Sequence, residues 1–375
     1  MSTFLFLGAN TAWVYALAEA LAHRFPVRVV RNYDWLNYRR LHPRWPSAPP
    51  PALLERTLKV FPPGYVGPLE PGFRGVLQRQ VDVWCRELTD AGQCWPWVVA
   101  PYPYLAPWVR DAPAERLIYY NLDDYVLYNP AREEQILAWE DELIERAALT
   151  ICLAAKQVES LRARHPSRAD RIRHFPLGVV ERFLNPHPEA APQSGTVGYV
   201  GNLVDRVDWR LVGETARALP GVEFVFVGGL DDAGGGSGRP GWEKERAAAL
   251  ALPNVRRIGP VPQEDVPAHY WAFGVNWIPY VADHPFNRAS CPTKIMDSLA
   301  TGRPVISTDV PECRLYPDWI AVACDVGEMV AELSRRLAVS SEAAEATRAT
   351  RQVAFAKSQT WDHRAETLVG LLPEG

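Results

Sequence analysis

Short β-branched or aromatic runs alternate with amphipathic stretches of helical period, and this happens twice along the chain. "TFLFLG" is followed by "AWVYALAEALAHRF" and "VRVVRN"; further on come "CWPWVVAPYPY", "RLIYYNLDDY", the helix-like "EEQILAWEDELIERAAL", "TICLA", "KQVESLRARH" and "RIRHFPLGVV". The second series runs through "GTVGYVGNL", "VEFVFVGG", "NVRRIGPV", "FGVNWIPY", "RPVIST" and "IAVACD", with helical segments between most of them. A strand reaches a parallel neighbour only through a long crossover, usually a helix, so this rhythm predicts parallel sheets. With 375 residues the chain exceeds the roughly 250–300 that one core serves. The expected fold class is α/β: two Rossmann-like, doubly wound parallel-sheet domains facing across a cleft. The first should span 1–180 and the second 195–355. The polar, proline-containing "ERFLNPHPEAAPQS", 181–194, is the expected linker.

Two stretches break the rhythm. Residues 41–73 are rich in proline and aromatics and poorly periodic, which predicts either a functional excursion or a mobile loop. "DDAGGGSGRPGWEKE", 231–245, reads as a glycine-rich surface loop. The net charge of −4 conceals a basic start, with ten Lys and Arg against four Asp and Glu in residues 1–80. Such a region could meet an anionic acceptor or a membrane surface; a solvated face with scattered arginines is the competing reading. The six cysteines (Cys85, Cys94, Cys152, Cys291, Cys313, Cys324) form no CxxC pair, as expected of a reduced, intracellular protein. The start lacks the basic n-region of a secretion signal and reads as a first strand, turn and helix. No run of about 18 apolar residues predicts a membrane span. A cytoplasmic protein, with peripheral contact to the inner leaflet as a further possibility, is the expectation, and no nucleic-acid partner is expected.

The most informative segment is "NRASCPTKIMDSLATGRPVISTDVPE", 287–312. Pro292 suits a first helical turn, with Ser290 or Cys291 at the cap, and Gly302 suits the position just past the last turn. "PVIST" should then be a buried strand. The open end of this helix would carry Thr293 and Lys294, with Asp297 on the same side one turn on. Helix amides, a hydroxyl and a cation together suit a diphosphate; a plain capped helix is the alternative.

These residues carry a resemblance. "GYVGNLVDRVDW", "LPNVRRIGPVPQEDVPAHYWAFGVNWIPY" and "SCPTKIMDSLATGRPVIST", in that order, resemble the C-terminal half of GT-B glycosyltransferases of the bacterial family 4 type. "IYYNLDDY" and "HFPLGVVERF" are similar to the same group, and "SQTWDHRAETLVGLL" resembles its final helices. The resemblance implies that residues 356–375 cross back to the first domain. It also implies transfer of a sugar from a nucleotide donor, most often a UDP-sugar, held by the second domain. The acceptor, a glycan or lipid-linked molecule, would be held by the first. Ser290, Cys291, Thr293 and Lys294 would then meet the diphosphate and Asp297 the ribose. The family usually has glutamate at the Asp297 position, and the acid it often carries eight residues earlier is Ala289 here.

Gly201 and Asn202 end one strand and open a helix, in whose first turn backbone amides could touch the diphosphate, with Arg206 as a phosphate clamp. Gly195, Gly198 and Gly201 do not make a GxGxxG fingerprint, since they span the strand and not the turn. Val261, in "GPVPQED", would border the nucleobase by resemblance. His284, Asn287 and Arg288 precede the phosphate turn and are placed to touch the donor sugar; for His284 a plain surface position is the competing reading. Asp123 and Asp124 end an apolar run, where one of them could serve as a base for an acceptor hydroxyl, or both could cap a helix. Gly8 and Thr11 bound a first strand-to-helix turn at the same edge. No metal site and no cofactor other than the donor are expected. A nucleotide-sugar 2-epimerase and a non-catalytic binding protein share this architecture and are the alternatives.

Overall fold

The computed structural model describes residues 2–34, 53–60, 70–89, 95–190, 193–230, 240–338 and 342–373. The chain divides into two units, Met1–Pro176 with Trp361–Gly375, and Leu177–Thr360. Each is built on one parallel sheet.

The first sheet has seven strands: β1 (Phe4–Phe6), β2 (Val27–Asp34), β3 (Leu53–Val60), β4 (Trp97–Ala100), β5 (Leu117–Asn121), β6 (Leu149–Cys152) and β7 (Ile172–His174). Their order is β3-β2-β1-β4-β5-β6-β7. β1, β4, β5 and β6 are buried along their whole length, because helices cover both faces of a doubly wound sheet. This is why they read as unbroken apolar runs and not as alternating ones. Leu5, Val98, Tyr119, Trp108 and Leu143 belong to the core on one side.

The excursion expected over 41–73 needs correcting in part. Residues 53–60 form β3, paired in register with β2 from Val27 opposite Leu53 to Asp34 opposite Val60. A helix starts at Glu70 and runs to Thr89. Residues 41–52 and 61–69 lie outside the described residues. The helix Trp361–Leu371 joins this first unit after the chain has completed the second. It packs on the helix Ala12–Ala22, burying Trp361, Ala365 and Leu368. His23 Nδ1 lies 3.0 Å from Asp362 and Arg24 2.5 Å from Glu366.

The second sheet contains β8 (Gln193–Val200), β9 (Glu223–Val227), β10 (Val255–Ile258), β11 (Phe273–Ile278), β12 (Val305–Ser307) and β13 (Ile320–Val322), in the order β10-β9-β8-β11-β12-β13. Its core gathers Trp209, Trp277, Phe224 and Phe226. At Gly198 a Cβ would come within 2.0 Å of the Phe273 ring, so the bare backbone of β8 is what lets that ring lie against it.

The segment expected as a linker, 181–194, is tied into the second unit. Asn185 donates from its backbone to Ala300 O (2.9 Å) and from its side chain to Thr301 O (3.0 Å). Trp271 Nε1 donates to Phe183 O at 2.8 Å. Of the expected loop 231–245, residues 231–239 lie outside the described residues, and Trp242 already opens a helix to Leu250. Among the described residues no helix is long and apolar enough to cross a membrane. The five described cysteines are free thiols, and only Cys324 is exposed.

Candidate functional site

Both sheets share one topological event. On one side of β1, and of β8, the chain winds outward in one direction; on the other side it resumes at β4, and at β11, and winds the opposite way. The crevice left beyond the strand C-termini at such a reversal is where open α/β sheets bind ligands.

In the second unit, β8 leads into Gly201 and Asn202, and β11 into Tyr280; the helix expected to open at Asn202 begins only at Trp209, capped by Asp208. Gly201 has φ +146°, and a Cβ there would lie 2.6 Å from Lys294 Nζ. Lys294 therefore reaches across to the end of β8. Its ammonium sits 5.2 Å from the centre of the Tyr199 ring and 5.6 Å from that of Tyr280, within cation–π range. The Arg206 guanidinium lies 5.3 Å from the Tyr280 ring centre. It donates from Nε to Asn287 Oδ1 (2.7 Å) and from Nη2 to Ser290 Oγ (3.0 Å). Two cations thus meet at the crevice, and their hydrogen-bonding neighbours are phenols, an amide and a hydroxyl.

Burial pushes the Tyr280 phenol up, but Lys294 and Arg206 beside it, with hydrogen bonds from Lys294 and Tyr199, outweigh this and hold it below the ordinary tyrosine range. Tyr199, equally buried and facing Tyr280, is pushed well above that range. Burial lifts the Asp297 carboxyl to about 7, against the opposing pull of Lys294 and Arg182.

The helix carrying Lys294 and Asp297 spans Thr293–Leu299, with Pro292 itself at the cap position. Ser290 ends a preceding short helix, Pro285–Ala289, which corrects the expected cap at Ser290 or Cys291. Gly302, with φ +72°, follows the helix as expected, and β12 comes next. Asn287 is fully buried and donates to Arg206 O (3.0 Å) and Val281 O (2.9 Å), so it holds Arg206 in place. Arg288 is exposed, Cys291 is buried, and Val261 packs on the core beyond the end of β10. His284 is not on the surface. It is buried, with Nε2 3.5 Å from the buried carboxylate of Asp205, and burial lowers its pKa despite that partner.

In the first unit, a pocket of about 420 Å³ opens at the corresponding edge, where β1, β4 and β5 end. Asp123 lies in its wall; its Oδ2 accepts from Tyr128 Oη (2.6 Å) and its Oδ1 from Asp124 N (3.0 Å). Asp124 caps the short helix Tyr125–Tyr128, accepting from Val126 N at 3.1 Å. Asn10 and Thr11, from the first turn, line the same pocket. Its tyrosines escaped sequence reasoning: Tyr102 and Tyr104 follow β4, Tyr125 and Tyr128 follow β5, and only the pairing of β4 with β5 brings the two groups together. Among the described residues no cluster of three or more His, Cys, Asp or Glu could hold a metal ion.

Residues 206–370 match the family model described as Glycosyl transferase-like. A Bacillus subtilis (strain 168) protein, TuaH, assigned to teichuronic acid biosynthesis as a glycosyltransferase, is 26% identical over 192 residues. That match spans 49% of this chain and 46% of TuaH, so the chain corresponds to about half the length of this relative. Two solved structures share the fold over nearly the whole chain. Sucrose-phosphate synthase from Thermosynechococcus elongatus superposes with a TM-score of 0.70 at 18% identity, covering 99% of this chain and 98% of that one. Anabaena Alr3699/HepE in complex with UDP gives a TM-score of 0.70 at 14% identity, with 99% of each chain covered.

Proposed function

We propose that this chain is a GT-B glycosyltransferase that moves a sugar from a nucleotide-diphosphate sugar to an acceptor hydroxyl. The observation that carries the reading is the meeting of Lys294 and Arg206 beside Gly201, at the crevice between β8 and β11. Sugar transfer leaves negative charge on the departing nucleoside diphosphate. Cations fixed in advance at that position stabilise this charge without reorganising. Arg206 is fixed by Asn287 and Ser290, and Lys294 by the two phenols. In this reading Lys294, Thr293 and the backbone around Ser290 and Cys291 take the diphosphate, together with the Gly201–Asn202 turn. Asp297 takes the ribose, Val261 borders the base, and Arg288 stands nearest to solvent beside the donor sugar. Asn287 acts through Arg206.

The acceptor belongs to the first unit. Of the two acids there, Asp124 is spent on its cap, so Asp123 is the one to meet the acceptor hydroxyl. The donor base is uridine in this reading, by likeness to the HepE fold, which was solved with UDP. The reading also sets the enzyme in the cytoplasm, with the basic N-terminal residues meeting an anionic membrane surface; co-sedimentation with vesicles containing anionic lipid tests that last part.

Thermal unfolding with UDP, GDP, ADP and dTDP, on the wild type and on Lys294→Ala, tests the donor site. A nucleotide at a hundred times its dissociation constant adds about 2.7 kcal/mol. One nucleotide should stabilise the wild type and fail on the variant. No shift with any of them at millimolar concentration would overturn the transferase reading.

A further inference from the structure

Two like charges brought to one crevice repel, so something in the protein must hold Lys294 and Arg206 at the ends of β8 and β11. An ion pair does not: among the described residues neither side chain forms one with a carboxylate. Arg206 gives its hydrogen bonds to Asn287 Oδ1 and Ser290 Oγ, both uncharged. Asp205, the residue before it, faces His284. Asp297, one turn on from Lys294, feels that charge without a hydrogen bond between them.

What the two cations share is one ring. The centre of the Tyr280 ring lies 5.6 Å from the Lys294 ammonium and 5.3 Å from the Arg206 guanidinium. The negative face of an aromatic ring attracts a cation, more strongly where water is kept out, and Tyr280 is only 5% exposed. Tyr199 adds a contact to Lys294 at 5.2 Å and Phe286 one to Arg206 at 6.0 Å, but among the described rings only Tyr280 reaches both. The backbone under this ring is fixed to the turn that carries Arg206. Tyr280 bridges to Val207, Asp208 N donates to Pro279 O (2.8 Å) and Val281 N to Arg206 O (2.9 Å). Thr308 Oγ1 donates to Tyr280 O at 2.5 Å. A pair of cations held in this way suits a ligand with more than one anionic group. A nucleoside diphosphate carries one phosphoryl group more than a monophosphate and gains more from the pair.

We infer that Tyr280 is the positioning residue of this site: its ring holds Lys294 and Arg206 as a pair, and the pair prefers a diphosphate to a monophosphate. The inference rests on the donor reading and extends it to a residue that acts on the ligand through the two cations.

Calorimetric titration with UDP, UMP and inorganic pyrophosphate tests it on the wild type, on Tyr280→Phe and on Tyr280→pentafluorophenylalanine. The two variant rings have nearly the same shape, but fluorine draws negative charge off the ring face. A role in filling space would treat them alike. The wild type should bind UDP at least about tenfold more tightly than UMP. Tyr280→Phe should keep that ratio within about threefold. Against Tyr280→Phe, the fluorinated ring should lose about tenfold in UDP affinity and less in UMP affinity, at an unchanged melting temperature. Three results overturn the inference: both variants binding UDP equally, a loss that falls equally on UDP and UMP, or a wild type that does not distinguish the two nucleotides. Pyrophosphate separates this claim from the donor reading. If the wild type binds pyrophosphate, loses it with the fluorinated ring and takes no nucleotide, Tyr280 keeps its role and the donor reading fails. UDP bound alike by all three proteins does the reverse. A wild type that binds none of the three ligands overturns both.

Discussion

At Gly201 and Gly228 two neighbouring strand ends approach so closely that a methyl group on either would collide, but with different partners. A Cβ at Gly201 meets the flexible tip of Lys294, whereas one at Gly228 would lie 2.0 Å from the carbonyl oxygen of Gly201, which cannot swing away. Both backbones also sit at positive φ, +146° and +149°. Gly228→Ala should therefore cost about 3 kcal/mol or more in urea denaturation. Gly201→Ala should cost about 1–2 kcal/mol and lose most nucleotide affinity, because it displaces the lysine. Asp297 offers a prediction in pH. A carboxyl that titrates near 7 in the folded chain, and near 4 unfolded, holds its proton more tightly when folded. Its contribution is complete below about pH 4 and is lost as pH rises through 7. Wild-type stability should fall relative to Asp297→Asn across that window and run parallel to it above, as urea midpoints measured from pH 4 to 8 would show.

Strand β5 shows how an element delivers a site. Glu140, on the helix Glu133–Arg146, accepts from Tyr119 Oη and Asn121 Nδ2, both at 2.8 Å, and pairs with Arg164. These bonds anchor the end of β5 two residues before Asp123. Glu140→Ala would leave the Tyr119 phenol without its carboxylate acceptor, while Asn121 would keep only Tyr119 Oη and Arg164 only Asp141 and His165, and should cost about 3 kcal/mol. If it also lowers sugar transfer while sparing UDP binding, the anchoring reaches the pocket. The elements themselves were largely legible. Apolar runs such as "WVVA" and "LIYYN" read as buried strands and are, and Gly302 with its positive φ stopped its helix where expected. β3 was not, because "LLERTLKV" is polar, weakly periodic and flanked by proline-rich chain; it is recruited by pairing with β2 and not by its own pattern. In the candidate site the local turn "SCPTK" was readable, whereas contacts between distant positions were not. Nothing in the sequence signals that Asp205 faces His284, or that Asn287 spends its side chain on Arg206. Such pairings are decided by how separate loops pack.

The whole molecule separates its two chemistries into two folding units, one of them a single uninterrupted segment, Leu177–Thr360. That segment holds its own sheet and core together with every residue of the candidate nucleotide site. Expressed alone, it should unfold cooperatively and keep the UDP-dependent rise in melting temperature; a segment that is folded yet indifferent to UDP would mean that the donor site needs residues of the first unit. The first unit has no such independence. Its helix Ala12–Ala22 is covered by Trp361–Leu371, made from the other end of the chain. During synthesis the first unit therefore cannot be finished when its own sheet has emerged. It must wait, with one flank uncovered, while the entire second unit is translated. At about 5–20 residues per second that delay is on the order of tens of seconds, which makes the nascent first unit a natural client for a chaperone that shields apolar helix faces.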